Sequence, residues 1–327
     1  MRTIRCAFVD FWEEFTPKDI PYLWDCFHVI IDREKPDYLF YSCFGHEHYK
    51  YDTSIKIFWC GENLEPNFND CDYAITYSEI EYGDRCFRDY CNFHQEPPLP
   101  QLSPEELLNR KFCNFIYSNN TNANPMRIDI FKKLSEYKKI DSAGSLLNNI
   151  GHCIPKGYQC KIEFQNQYKF SLAIENSSMI GYTTEKIYHP FLARSLPIYW
   201  GNPLIASDYN PISFINLMDY SSVEDMVEEI IRLDNDDNAY LTKVTAPFYL
   251  KGNNFEDFRR IEKERITSFY DSIFSQPLTK AGRRVMNGRA KAYRMGQEEL
   301  QHPIKLLIRN TKMKIKAIIS PKTGQDL

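Results

Sequence analysis

One stretch constrains this chain more than any other. Residues 170–174, Phe-Ser-Leu-Ala-Ile, form an apolar run of strand length. A polar loop follows from Glu175 to Gly181, and Tyr182-Thr-Thr-Glu-Lys then opens a helix with Thr183 or Thr184 as its N-cap. A second apolar run, residues 196–200, ends at Gly201. Such a strand–loop–helix–strand unit belongs in a parallel sheet. Its polar residues gather where parallel sheets bind ligands, at strand carboxyl ends and helix N-termini.

Short apolar runs at 4–9, 38–43, 55–60 and 73–77 read as strands of an earlier unit. Residues 92–104, with Pro97, Pro98, Pro100 and Pro104, read as a connector. A second unit begins near Lys111, with a strand at 112–117, a helix at 126–137 and a further strand at 214–217. Residues from 221 onward predict an amphipathic helix with Ser221 and Glu224 as a capping box. The alternation predicts two doubly wound α/β domains facing a central cleft, 1–107 and 108–278, and a basic helical tail, 279–327.

The tail holds twelve Lys and Arg against three acids, a net +9 that leaves −13 for the rest of a chain whose net charge is −4. Its apolar residues Ile304, Leu307, Ile308, Ile315, Ile318 and Ile319 share one helical face, a pattern that suits an anionic membrane surface or packing on the body. The acidic body speaks against nucleic acid. No apolar run reaches the roughly 20 residues of a membrane span. Ten scattered cysteines, without Cys-x-x-Cys or zinc spacing, read as reduced thiols. Asp70-Cys-Asp72 and Asp234-Asn-Asp236 have the form of a metal–diphosphate site, but each stands where turn residues are ordinary, and no essential metal or other cofactor is expected.

The 170–201 stretch resembles the donor-binding signature of the α1,3/α1,4-fucosyltransferases: an aromatic-led strand, Glu-Asn-Ser, Tyr-x-Thr-Glu-Lys and Pro-Ile-Tyr-x-Gly. Cys60-Gly-Glu-Asn-Leu-Glu-Pro resembles the family's Gly-Glu-Asn block, and 112–118 with Arg127 resembles its strand–Ser-Asn–Arg block. The resemblance implies the two-domain GT-B architecture, with the acceptor on the first domain and GDP-fucose on the second. It implies transfer of fucose to an N-acetylglucosamine hydroxyl of a Gal-GlcNAc acceptor, α1,3 rather than α1,4, on a Lewis-type oligosaccharide or lipopolysaccharide. It also suggests a bacterial, cytoplasmic member, because Met1-Arg-Thr-Ile-Arg runs directly into a strand. The alternatives are another nucleotide sugar or a non-catalytic binding module.

Fucosyl transfer needs positive charge on the departing diphosphate and a base for the acceptor hydroxyl. Lys186, in a first helical turn, and Arg127, beyond a strand-end loop, suit the first role, and the resemblance implies that both bind the diphosphate. Glu185 is either a first-turn acid or, as the resemblance implies, the acceptor of ribose hydroxyl bonds. The resemblance adds Ser118, Asn176 and Tyr182 to the donor site, and leaves Glu175 either touching fucose or orienting its loop. For the base, the residues alone leave Glu62 and Glu65 open. The resemblance points to Glu62, with a pKa raised by partial burial. Pro190 should shorten or kink its helix, and His189 reads as structural.

Overall fold

The computed structural model describes residues 1–90, 96–118, 121, 123–252 and 254–301, together with Leu307 and Thr311. One sheet holds β1 (Arg2–Val9), β2 (Phe27–Ile31), β3 (Tyr38–Tyr41), β4 (Ile55–Trp59), β5 (Tyr73–Thr76) and β6 (Cys86–Arg88), in the order β2-β1-β3-β4-β5-β6. The other holds β7 (Lys111–Phe115), β8 (Ile140–Ser142), β9 (Tyr168–Ile174), β10 (Leu196–Trp200) and β11 (Ile215–Asn216), in the order β11-β10-β9-β7-β8. All pairings within both sheets are parallel.

The described helices are α1 (Leu23–Cys26), α2 (Pro104–Leu108), α3 (Met126–Ser135), α4 (Tyr158–Gln165), α5 (Glu185–Leu192), α6 (Val223–Asn235), α7 (Asp237–Val244), α8 (Phe255–Phe274), α9 (Leu278–Ala281) and α10 (Gly288–Gln301). These are the two α/β domains of a GT-B fold. Every residue of β4, β9 and β10 is buried, as central parallel strands covered on both faces require. Each strand order reverses once, between β1 and β3 and between β7 and β9, and ligand crevices open at such points.

Two sequence expectations shift. The cap of α6 is Ser222, which accepts from the Asp225 amide, rather than Ser221. The sequence places residues 255–274 in the second domain, yet α8 packs on the first sheet. Ile266, Tyr270, Ile273 and Phe274 are buried there, with the Phe274 ring 4.6 Å from Tyr38 and 5.0 Å from Phe27. Helical periodicity identifies the apolar face of α8 but not the sheet it covers.

The tail also begins on the first domain. Arg284 pairs with buried Asp72 at 2.8 Å, Arg283 with Asp84 at 2.6 Å, and Arg294 donates to the Asn69 carbonyl at 3.1 Å. The predicted apolar face lies outside the described residues except for exposed Leu307. No described helix is long and apolar enough to cross a membrane.

A buried polar seam holds the domains together. Arg88 of β6 bonds both carboxylate oxygens of Asp208 at 2.6 and 2.7 Å and also donates to the Gly181 carbonyl at 2.9 Å. Asp208 accepts in turn from Thr183 and Asn202. Gly181 has φ +90°, and a Cβ there would come within 2.4 Å of the Tyr77 carbonyl oxygen, so this close approach requires glycine.

Candidate active site

Strand β9 ends at Ile174 beside the winding reversal, and the groups after it converge. Thr184 caps α5 by accepting from the Lys186 amide. Glu175 is fully buried. It accepts from the Thr184 amide at 2.8 Å and the Thr184 hydroxyl at 2.8–2.9 Å, and lies 3.2 Å from the Lys186 ammonium. Its neighbour Gly201 is obligatory, since a Cβ there would meet the Glu175 side chain at 2.4 Å. Burial raises the Glu175 carboxyl, and Lys186 and Thr184 only partly offset this. Glu175 therefore holds the Lys186 ammonium from beneath.

Lys186 also lies 3.6 Å from Glu185. Burial alone would depress its ammonium, but Glu175 and Glu185 outweigh burial and hold it above the usual lysine range. Burial pushes Glu185 the other way, yet Lys186, Lys161 and His189 keep its carboxyl below the ordinary range. A half-exposed carboxylate held ionised beside a lysine can accept two hydroxyl donors at once.

A cleft of about 190 Å³ joins these groups to Tyr117, Ser118, Arg127, Lys161, Gln165 and Asn176. Ser118 is exposed at its edge. Arg127 is only 2% exposed. It stacks 4.1 Å from the Tyr117 ring and donates to the Ile174 carbonyl at 3.1 Å and the Asn176 side-chain oxygen at 2.8 Å. Its guanidinium thus forms the floor of the cleft, where the sequence expected an open fork for phosphate.

Tyr182 departs further from expectation. It is buried at 3% exposure, edge-on to Tyr77 of the first domain, and packs in a cluster with Tyr90 and Phe258. It is an aromatic of the domain interface, with Lys186, Glu175 and Glu62 close by. His189 is buried against Tyr158, and burial with Lys161 holds its imidazole down at about 3. Pro190 leaves α5 helical as far as Leu192.

The first domain contributes the loop after β4. Asn63 donates to Ser177, joining the Gly-Glu-Asn block to the Glu-Asn-Ser block across the cleft. Glu62 is exposed there, so any desolvation of it must come from bound substrate, contrary to the expected partial burial. Both Glu62 and Lys186 lie close enough to act on the Tyr182 phenol. Glu65 instead accepts from Ser78 at 2.7 Å.

Both Asp-x-Asp pairs are committed to protein partners. Asp72 holds Arg284, Asn67 donates to Asp70, Asp234 takes Lys138 and Lys169, and Asp236 caps α7. Sequence reasoning missed Lys161 and Gln165, one turn apart on α4. The signal was faint, since the helix carries no motif and follows a long irregular loop.

Comparison with known proteins agrees with this geometry. Residues 6–94 match the model of the α-(1,3)-fucosyltransferase FucT N-terminal domain, and residues 108–245 match that of the glycosyltransferase family 10 (fucosyltransferase) C-terminal region. The chain is 29% identical over 261 residues to the α-(1,3)-fucosyltransferase FucT of Helicobacter pylori, covering 68% of this chain and 53% of that one. It is 33% identical over 124 residues to the α-(1,3)-fucosyltransferase B of Drosophila melanogaster, covering 35% and 28%. The chain thus spans about half the length, or less, of these curated relatives. A solved α1,3-fucosyltransferase with GDP-fucose superposes with a TM-score of 0.68 at 25% identity, over 84% of this chain and 92% of that one. With both halves of the fold matched in order and the cleft built from the blocks that carry the match, the chain belongs to glycosyltransferase family 10, the fucosyltransferases.

Proposed function

We propose that the chain transfers L-fucose from GDP-fucose to an N-acetylglucosamine hydroxyl of a Gal-GlcNAc acceptor, forming an α1,3 linkage with inversion. The hydrogen bond between Asn63 and Ser177 carries this reading, because it sets an exposed carboxylate of one domain against the cationic cleft of the other. Lys186, Lys161 and the Arg127 floor supply positive charge to a leaving diphosphate, and Glu185 suits a ribose diol. Glu62 takes the acceptor proton as the hydroxyl attacks the anomeric carbon and the bond to GDP breaks.

A hollow of about 600 Å³ in the first domain, walled partly by Trp12 and Trp59, supports acceptor binding there, since aromatic faces suit the apolar faces of sugars. Trp59 is three residues from Glu62. No essential metal enters this proposal, because the three cationic side chains can offset the charge on GDP. The proposal places the chain in the cytoplasm, acting on a Lewis-type or lipopolysaccharide acceptor. The net positive charge of the tail suits an anionic membrane surface.

The test is GDP release from GDP-fucose, with and without N-acetyllactosamine, in EDTA. Acceptor-dependent release supports donor, reaction and metal independence together. Absence of release, with or without Mn²⁺, overturns the donor assignment and directs attention to other nucleotide sugars.

A further inference from the structure

Two thiols stand next to Glu62. The register of β3 on β4 pairs Tyr38 with Ile55 and Tyr41 with Phe58, so two residues further on Cys43 lies beside Cys60. Adjacent strands run about 4.8 Å apart, inside the Cα separation a disulfide tolerates. The two sulfurs are 3.6 Å apart, with the Cys60 thiol donating to the Cys43 sulfur. Cys43 is partly exposed and Cys60 is buried at 3%. The Cys60 sulfur also accepts from the Glu62 amide at 3.3 Å.

We infer that Cys43 and Cys60 form an oxidative modification site, which a peroxide closes to a disulfide and which thereby displaces Glu62. The inference rests on the reading of Glu62 as the base. The donated Cys60 hydrogen bond lowers the Cys43 thiol to about 7, so a substantial share is thiolate near neutrality. The hydrogen bond and burial together raise Cys60, which keeps it protonated as the resolving partner.

The Cys43 thiolate attacks one peroxide oxygen. The O–O bond breaks, the departing oxygen takes a proton to leave as water, and Cys43 becomes a sulfenic acid. The Cys60 sulfur, giving up its proton, then attacks the sulfenic sulfur, and the S–O bond breaks to release a second water. Two thiols and one hydrogen peroxide thus give one disulfide and two waters, with two electrons passing from sulfur to oxygen. Closure to about 2.05 Å draws the sulfurs some 1.5 Å nearer than they stand. The Cys60 sulfur then leaves the Glu62 amide, and Gly61, with no side chain, offers little resistance to the loop's shift. A displacement of about 1 Å in a reacting group is enough for a loss of up to about a hundredfold.

The experiment treats the full chain with hydrogen peroxide and quenches it in denaturing iodoacetamide, followed by non-reducing peptide mapping and GDP-release assays. The expected result is a Cys43–Cys60 linked peptide, transfer reduced at least about tenfold, GDP affinity within twofold of the untreated protein, and recovery in dithiothreitol. The C43S variant should retain transfer and resist peroxide. Alkylation of both cysteines after exposed Cys153 has been oxidised would overturn the inference, as would equal sensitivity of C43S. Formation of the bond with transfer unchanged would overturn the displacement of Glu62. A chain without transfer before peroxide treatment overturns the proposed function instead, while the peptide map still decides whether the bond forms.

Discussion

Glu175 and Lys186 form an ion pair 3.2 Å long at the base of the cleft, with the carboxylate wholly buried and the lysine side chain 14% exposed. Glu175→Gln keeps an oxygen for Thr184 but leaves the buried ammonium short of countercharge. Removal of one partner of a buried pair costs about 3–5 kcal/mol, and the nearby Glu185 should hold the loss to the lower end. A bound diphosphate would restore the missing charge. The variant should therefore melt several degrees lower when free and gain more from GDP than the wild type does. Thermal denaturation with and without GDP checks this, and an equal GDP shift in both proteins would remove Lys186 from the diphosphate site.

Lys161 lines the same cleft from α4. Burial lowers its ammonium, with Glu185 partly opposing, so a dianionic ligand would meet a poorly solvated cation. Lys161→Ala is expected to weaken GDP binding about tenfold, and Lys186→Ala more. Calorimetric titration with GDP decides. Unchanged affinity in Lys161→Ala would make that residue a bystander.

Glu62→Gln should abolish transfer while GDP affinity stays within about twofold, since Glu62 belongs to the other domain from the cleft's cations. Glu65→Gln should keep most of the activity, because its carboxylate serves Ser78 and the amide can still accept that bond. Steady-state GDP release with acceptor present compares them. Activity surviving in Glu62→Gln and lost in Glu65→Gln would reverse the assignment.

What was legible in the sequence follows from physics that acts locally. Strand β10 matches its apolar run from Leu196 to Trp200, because a strand buried on both faces must be apolar throughout. The cap was legible as Thr183 or Thr184, because capping is a contact two residues long, and it is Thr184. The burial of Tyr182 was not legible because the other domain, through Tyr77, packs against it. The burial of Arg127 was not legible, since the Tyr117 ring and the Ile174 carbonyl that hold it are distant in sequence. The Cys43–Cys60 contact required the register of β3 on β4, which a 17-residue separation does not disclose.

His189 permits a test of stability against pH. It faces Tyr158, with Lys161, Lys186 and Glu185 nearby, and its buried Nδ1 has no hydrogen-bond partner among the described residues. Burial, helped by Lys161, depresses its pKa from 6.5 to about 3. The unfolded chain therefore takes up a proton below about pH 6.5 that the folded chain refuses until about pH 3. The stability tied to neutral His189 is complete above that window and lost progressively as the pH falls through it. His189→Phe keeps an aromatic ring against Tyr158 and removes both the titration and the unsatisfied nitrogen. It should melt near or above the wild type at pH 7.5 and lose less stability between pH 6.5 and 4. Melting temperatures across that range check the prediction, and parallel acid limbs in the two proteins would mean that other groups control the acid response.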